Sequence, residues 1–204
     1  MVMSITPNVI NFITYPFAYW DEWLTEDEIK AIEKYCDDLT TDDAKIVTSG
    51  SDGVVDENIR KSETKMVTPD DHNRWMFDRF INIASLINNR FYGYDLNGFD
   101  YFQYTVYDGE GSTYNFHTDM VFGDQIPPNM PIPRKLSFSL LLSDPNDYEG
   151  GEFEFMADGG EPVVAEQKRG RILAFPSFVL HRVAPLKSGK RKSIVFWAVG
   201  PKFK

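Results

Sequence analysis

Residues 171–199 read RILAFPSFVLHRVAPLKSGKRKSIVFWAV. Two apolar runs, Arg171–Phe175 and Phe178–Val183, are split by Pro176-Ser177, and a third, Ser193–Val199, follows Ser188-Gly189. Short runs rich in aromatic and β-branched residues, bounded by Pro, Ser and Gly, predict strands. Back along the chain the same texture reaches Phe99, with strand candidates at Tyr101–Tyr107, Leu136–Leu142 and Glu152–Met156. Turn signals separate them: Asp108-Gly109, Pro127-Pro128, Gly150-Gly151 and Gly159-Gly160. The stretch Gln125–Pro133, with four prolines, reads as a stiff surface loop.

Before Phe99 the pattern is helical. Thr25 can cap a helix, and Glu28 stands at the reciprocal capping-box position. Ile29, Ile32, Cys36 and Leu39 then repeat at helical spacing and give one apolar face. A second helix is expected from Thr68-Pro69, with a buried stripe of Phe77, Phe80, Ile81, Ala84 and Ile87 and Gly93 just past its end. Thr40–Asp56 reads as a mobile loop, Asn58–Val67 as a short strand, and Val9–Tyr15 as an extended strand feeding Phe17, Tyr19, Trp20 and Trp23. Helices followed by six or more short strands predict an α+β fold, an antiparallel sandwich or barrel. There is no internal repeat and no domain-scale linker, so 1–204 is expected to be a single domain. About 1–98 would hold the N-terminal strands and helices, and about 99–204 the β core.

The chain has 204 residues, 42% apolar and 25% charged, with 16 Phe, 10 Tyr and 4 Trp. These values suit a globular protein with a sheet-rich core. A net charge of −10 disfavours nucleic acid and anionic membranes as partners. Cys36, the single cysteine, excludes an internal disulfide and every cysteine-rich zinc module. The uncharged stretch Met1–Trp20 lacks a basic leader and is broken by Pro7 and Pro16, so a cytoplasmic location is expected. Charge is unevenly spread: residues 161–204 carry ten Lys/Arg against Glu161 and Glu166. That is either a solvated basic edge or a pocket that attracts a small anion.

Three histidines are present. His72 lies among Asp70, Asp71 and Asn73 and reads as a solvated surface residue in the first turns of the second helix. His117-Thr118-Asp119 is different, because residues i and i+2 of an extended chain point to one side and can offer two ligands to one ion. By itself this is equally a His–Asp hydrogen bond at a turn. His181 closes an apolar strand, and Arg191 follows ten residues later across Ser188-Gly189. A hairpin there would bring Arg191 back beside His181. In a strand, Lys190 and Lys192 would then face out while Arg191 faces in. Two imidazoles and one carboxylate leave open positions on a metal and suit Fe(II), and an Arg nearby can pair bidentately with a carboxylate.

At this point the sequence resembles the 2-oxoglutarate- and Fe(II)-dependent oxygenases, in their prolyl 4-hydroxylase-like branch. The resemblance covers roughly residues 100–200. It rests on Tyr107-x-Gly109, Tyr114-x-x-His117-x-Asp119, Leu140-Leu141-Leu142-Ser143-Asp144 and Tyr148-Glu149-Gly150-Gly151-Glu152-Phe153. It continues through Phe175-Pro176-Ser177, His181-Arg182-Val183-x-Pro185, Gly189-x-Arg191 and Phe196-Trp197. Ile59-Arg60-Lys61-Ser62 is similar to an N-terminal strand of the branch. The resemblance implies a double-stranded β-helix (jelly roll) with the N-terminal helices packed on its major sheet. It implies His117, Asp119 and His181 as iron ligands and Arg191 as partner of the 2-oxoglutarate C5 carboxylate. Tyr107 and Trp197 would line the co-substrate pocket, and Arg134 would sit at the substrate mouth. Where some relatives place a Tyr that bonds the C5 carboxylate, this chain has Leu140 or Leu141, so Tyr107 or Ser193 would supply that bond. Many prolyl 4-hydroxylases carry Lys where Arg191 stands, which aligns this chain with the Arg-using subgroup.

The expected function is therefore an Fe(II)-, 2-oxoglutarate- and O2-dependent dioxygenase, with ascorbate as a candidate addition. It would hydroxylate a prolyl residue in a peptide or protein and release succinate and CO2. The segments Thr40–Asp56 and Met120–Arg134 are long enough to clamp such a chain. Two alternatives stand beside it: hydroxylation of a free amino acid or other small metabolite, and a non-catalytic jelly-roll binding module. A cupin-type dioxygenase would show more histidines than this chain has.

Overall fold

The structure, a computed structural model, describes residues 16–40, 42–43, 59–120, 133–156 and 160–202. The expectations for Val9–Tyr15, for most of Thr40–Asp56 and for Gln125–Ile132 lie outside these residues.

Two antiparallel sheets face one another as a double-stranded β-helix. The major sheet has eight strands: β1 (Ala18–Trp20), β2 (Asp42–Asp43), β4 (Glu63–Val67), β5 (Gly98–Asp108), β7 (Arg134–Leu141), β8 (Tyr148–Gly150), β11 (Ile172–Pro176) and β13 (Leu186–Val199). Their order is β1-β11-β7-β13-β5-β4-β2, with β8 paired to the start of β13. The minor sheet is β10 (Pro162–Ala165), β9 (Phe153–Met156), β12 (His181–Val183), β6 (Thr113–His117) and β3 (Arg60–Lys61), in that order.

The period-2 alternation of the major strands sorts their residues onto two faces. Phe102, Tyr104, Val106, Leu136, Phe138, Leu140, Ile194, Phe196 and Ala198 turn to one side and share a core with the helices α1 (Glu26–Asp37) and α2 (Arg74–Ile87). Phe80 of α2 stacks on Phe102 and Phe196 at ring-centroid distances of 5.8 and 5.2 Å. The intervening residues Gln103, Thr105, Tyr107, Ser139, Arg191, Ser193, Val195 and Trp197 line the space between the sheets. A second apolar cluster closes one end of that space, with Tyr107, Leu173, Phe175 and Leu186 from the major sheet against Phe153, Phe155 and Val183 from the minor one.

Helix α1 starts as the sequence predicts. Glu28 N–H donates to Thr25 Oγ1 at 3.2 Å and Thr25 N–H donates to Glu28 Oε2 at 2.7 Å. Its buried face is Ile29, Ile32 and Cys36. Helix α2 differs. It begins at Arg74 rather than Thr68, because Asp70 Oδ1 accepts from the N–H groups of His72 and Asn73, while Asn73 Oδ1 accepts from Asp70 N–H. These local bonds satisfy the backbone in a turn and compete with helix. His72 is thus in the turn that precedes the helix, and it is exposed as expected. The buried stripe holds Met76, Phe77, Phe80, Ile83, Ala84 and Ile87, whereas the expected Ile81 is 40% exposed. Gly93 ends the following turn with φ 64°.

Among the strands, Phe178–Leu180 does not join the run to Val183. It forms a turn closed by Val179 N–H to Pro176 O at 2.8 Å, and only His181–Val183 is strand. The strands β1, β2, β6, β8 and β10 are not among those the sequence pattern predicts, and β2 lies in the stretch read as a loop. Ser188-Gly189 does not close a hairpin. It lies inside the continuous β13, paired to β8, while β12 belongs to the other sheet. No helix of the described residues is long and apolar enough to cross a membrane.

Candidate metal centre

The minor sheet builds one corner of the site from backbone register. His117 ends β6 and His181 begins β12, and the two are direct cross-strand partners. Asp119, two residues beyond, is held by its N–H to Ser177 O at 2.9 Å. As a result, one ligand atom from each of His117, Asp119 and His181 lies within 4.8 Å of the other two. Asp119 Oδ1 is 3.7 Å from His117 Nε2, and Asp119 Oδ2 is 3.6 Å from His181 Nε2.

The histidine tautomers are set by what lies behind the rings. His117 Nδ1–H donates to Asn115 O at 2.8 Å and His181 Nδ1–H to Val179 O at 2.9 Å. Each imidazole therefore turns its Nε2 lone pair toward Asp119, the arrangement a metal-ligating histidine needs. Burial, reinforced by the neighbouring His181, holds the His117 imidazole neutral, well below its ordinary range. Burial opposes the charge of Asp119, but nearby positive charge, Arg134 included, and a bond from Ser137 outweigh it and keep the carboxyl below its usual range. Two imidazole nitrogens and one carboxylate, open on one side, fit a divalent iron. Aromatic rings clamp the histidines: Tyr114 stacks on His117 at 3.5 Å and Phe153 on His181 at 5.5 Å.

A cavity of about 220 Å³ opens from these three residues between the sheets. Arg191 lines it and is 2% exposed. Its Nη1 donates to Ser193 Oγ at 3.3 Å, its Nε is buried with no partner, and no carboxylate pairs with it among the described residues. Lys190 and Lys192 point the other way, to Asp108 and Asp37, as strand alternation predicts. Arg191 reaches the cavity from the major sheet opposite His181, across the sandwich, which replaces the expected hairpin route. Tyr107 lines the cavity with its ring 5.6 Å from the Arg191 guanidinium. Leu140 packs on the helix side, and Leu141 lines a small cleft behind Arg191. Arg134 also lines the cavity, bound to Asp100 Oδ2 through Nε at 2.9 Å and Nη2 at 2.8 Å, and lies over the Trp197 ring at 3.9 Å.

Sequence reasoning missed several residues here. Gln103, Thr105 and Ser139 line the cavity. Ser137 bonds Ser177 at 2.9 Å beneath Asp119. Tyr148, whose hydroxyl donates to Gln167 Oε1, sits beside the Arg191 guanidinium. A signal existed: small polar residues recur at alternate positions of otherwise apolar buried strands, and a polar side chain facing a dry core is expensive unless something there uses it.

Residues 102–199 match the family described as the 2OG-Fe(II) oxygenase superfamily. The matched stretch spans most of the β-helix and holds all three residues of the centre together with Arg191. Among curated relatives, a PKHD-type hydroxylase of Parvibaculum lavamentivorans is 38% identical over 88 residues, 43% of this chain and 37% of the relative. Another, from a Synechococcus strain, is 39% identical over 87 residues, 43% of this chain and 36% of the relative. The matched stretch thus spans less than two fifths of either relative. Among solved structures, a Pseudomonas putida prolyl-4-hydroxylase superposes with TM-score 0.71 at 20% identity, covering 93% of this chain and 95% of that one. A Trichoplax adhaerens prolyl hydroxylase, solved with a hypoxia inducible factor peptide fragment, gives 0.70 at 19% identity, covering 91% and 84%. These structural neighbours share the double-stranded β-helix of this chain.

Proposed function

We propose that this chain is an Fe(II)- and 2-oxoglutarate-dependent hydroxylase that acts on a prolyl residue of a peptide or protein. The observation that carries the reading is one cavity holding His117, Asp119 and His181 at one end and Arg191, a buried guanidinium with no carboxylate partner among the described residues, in its wall. His117, Asp119 and His181 would hold the iron, and Arg191 would receive the far carboxylate of 2-oxoglutarate. The bound metal and co-substrate, with O2, supply the oxidation, yielding succinate, CO2 and a hydroxylated carbon.

The protein's own part is geometric and electrostatic. Asn115 O and Val179 O fix the two imidazoles. Ser137 and Ser177 steady Asp119. Ser193 braces the Arg191 guanidinium, and Tyr107 and Trp197 wall the co-substrate. Phe153 and Phe175 keep water from the metal corner. Arg134, clamped by Asp100 and stacked on Trp197, is a rigid cation for a substrate carbonyl. No side chain has to act as acid or base at the substrate carbon.

The prolyl substrate is supported by the prolyl hydroxylases of like fold, one of them seen with a peptide. The test is incubation with Fe(II), 2-oxoglutarate, ascorbate and proline-containing peptides. The expected result is one succinate released for each peptide gaining one oxygen atom. A protein that retains no iron and forms no succinate would be a binding module instead.

A further inference from the structure

The cavity holds three guanidinium groups, and among the described residues only one of them has a carboxylate partner. Arg134 is paired with Asp100. Arg191 is committed, in the reading above, to 2-oxoglutarate. Arg60 is the third. It lies on the edge strand β3, opposite Tyr114 in register, and is 7% exposed. Its guanidinium sits 4.6 Å from the Tyr114 ring centroid, and its Nε donates to Ser62 Oγ at 2.9 Å. Tyr114 in turn stacks on His117, so Arg60 is one ring away from the metal corner. Its charge is felt at Tyr107, Tyr114 and His117. Lys61, the next residue, points outward to Glu110 O. No salt bridge involves Arg60 among the described residues, although fifteen others are present.

Charge accounting in the loaded site sharpens this. The two positive charges of the iron and the two negative charges of 2-oxoglutarate cancel. Asp119 cancels Arg191, and Asp100 cancels Arg134. Arg60 is left over. A cation taken from water with no counter-charge is unfavourable, and a ring face offsets only part of that cost. A guanidinium held on an aromatic face is, however, pre-organised for a carboxylate.

We propose that Arg60 is a specificity residue that receives a substrate carboxylate, so that the preferred substrate carries a negative charge beside the ring to be oxidised. The inference rests on the hydroxylase reading. The carboxylate has two sources: that of a free or C-terminal proline, or an acidic side chain next to the proline in a peptide.

The test uses protein loaded with Zn(II) and N-oxalylglycine, which engage the metal site and Arg191 without turnover. Calorimetric titrations compare N-acetylproline with N-acetylprolinamide, and acetyl-Glu-Pro-Ala-amide with acetyl-Gln-Pro-Ala-amide. The wild type is expected to bind the charged member of at least one pair at least about tenfold more tightly. The pair that shows the contrast names the source. In Arg60→Gln the contrast should fall to within about twofold, in Arg60→Lys it should largely persist, and N-oxalylglycine affinity should stay within about twofold in both. The proposal is overturned if the wild type shows no contrast in either pair, if the contrast survives Arg60→Gln, or if Arg60→Gln weakens N-oxalylglycine instead. Succinate release by the iron-loaded enzyme is measured separately. Its absence with every proline compound defeats the hydroxylase reading, while the binding contrast, read with an inert analogue, still reports on Arg60.

Discussion

Arg191 is a cation in the middle of a β-sandwich, and its neighbours in sequence, Lys190 and Lys192, are ordinary surface lysines. Which of the three faces inward is decided by one alternation of a pleated strand. Two substitutions separate the roles in the cavity. Under the proposed function, Arg191→Ala removes one charge-assisted pair with 2-oxoglutarate, worth about 1.5–3 kcal/mol, so the 2-oxoglutarate KM should rise by roughly tenfold to a hundredfold with metal retention unchanged. His181→Ala deletes a donor of the metal centre, and both metal retention and turnover should disappear. Kinetics at varied 2-oxoglutarate and metal analysis after desalting check the pair. Equal loss of iron in both variants would refute the division of labour. At this scale His117, Asp119, His181 and Arg191 stand out through motif order and the family resemblance, and the structure brings all four to one cavity. Ser137, Ser139 and Thr105 were not, because small hydroxyl residues are common and only the pocket shows which ones matter.

At the scale of elements, the helices were read well where apolar periodicity and a cap agreed, as in α1. They were read less well where side chains compete for the backbone, as Asp70 and Asn73 do before α2. The stripe of α2 gives a sharp comparison. Phe80 is fully buried among aromatic rings of β5 and β13, whereas Ile81 is 40% exposed. Phe80→Ala should cost about 3–5 kcal/mol, and Ile81→Ala under about 1 kcal/mol. Denaturant titration followed by tryptophan fluorescence measures both, and similar midpoints for the two variants would contradict the packing. Several short strands escaped the sequence pattern. A three-residue strand such as Tyr148–Gly150 contains too little alternation to be seen, and it exists because it pairs with the start of β13.

Across the whole molecule, the basic C-terminal stretch is not a basic surface. Arg169 pairs with Glu26 and Glu33, Arg171 with Asp21 and Glu166, Arg182 with Glu154, and Lys187, Lys190 and Lys192 with Glu149, Asp108 and Asp37. Of its four arginines and six lysines, Arg191 is, among the described residues, the one that lines the cavity between the sheets. This arrangement sets an acid sensitivity. Hydrogen bonds from Arg171 and Arg169 hold Asp21 and Glu26 below their usual carboxylate range. A depressed folded-state pKa gives stability that is complete above the unfolded value and is lost as pH falls through the folded one. The unfolding temperature should therefore hold steady down to about pH 5 and fall from there toward pH 3. Asp21→Asn should be less stable at neutral pH and show a shallower fall. Thermal scans from pH 3 to 7 check this, and an unchanged slope in the variant would remove Asp21 from the account.

The sequence by itself determined the class of fold, the order of its parts and the identity of the chemical groups. Those depend on residue type, on periods of 2 and 3.6, and on motif order, all local properties of the chain. Tertiary structure decided which groups meet. His117 faces His181 because two strands distant in sequence pair in register, and Arg191 joins them from the opposite sheet because the sandwich closes. Arg60 enters the same cavity through the edge pairing of β3 with β6, and Ile81 turns out to water because the major sheet covers only one face of α2. Long-range register and facing sheets are set by the whole core at once, so no local stretch of sequence contains them.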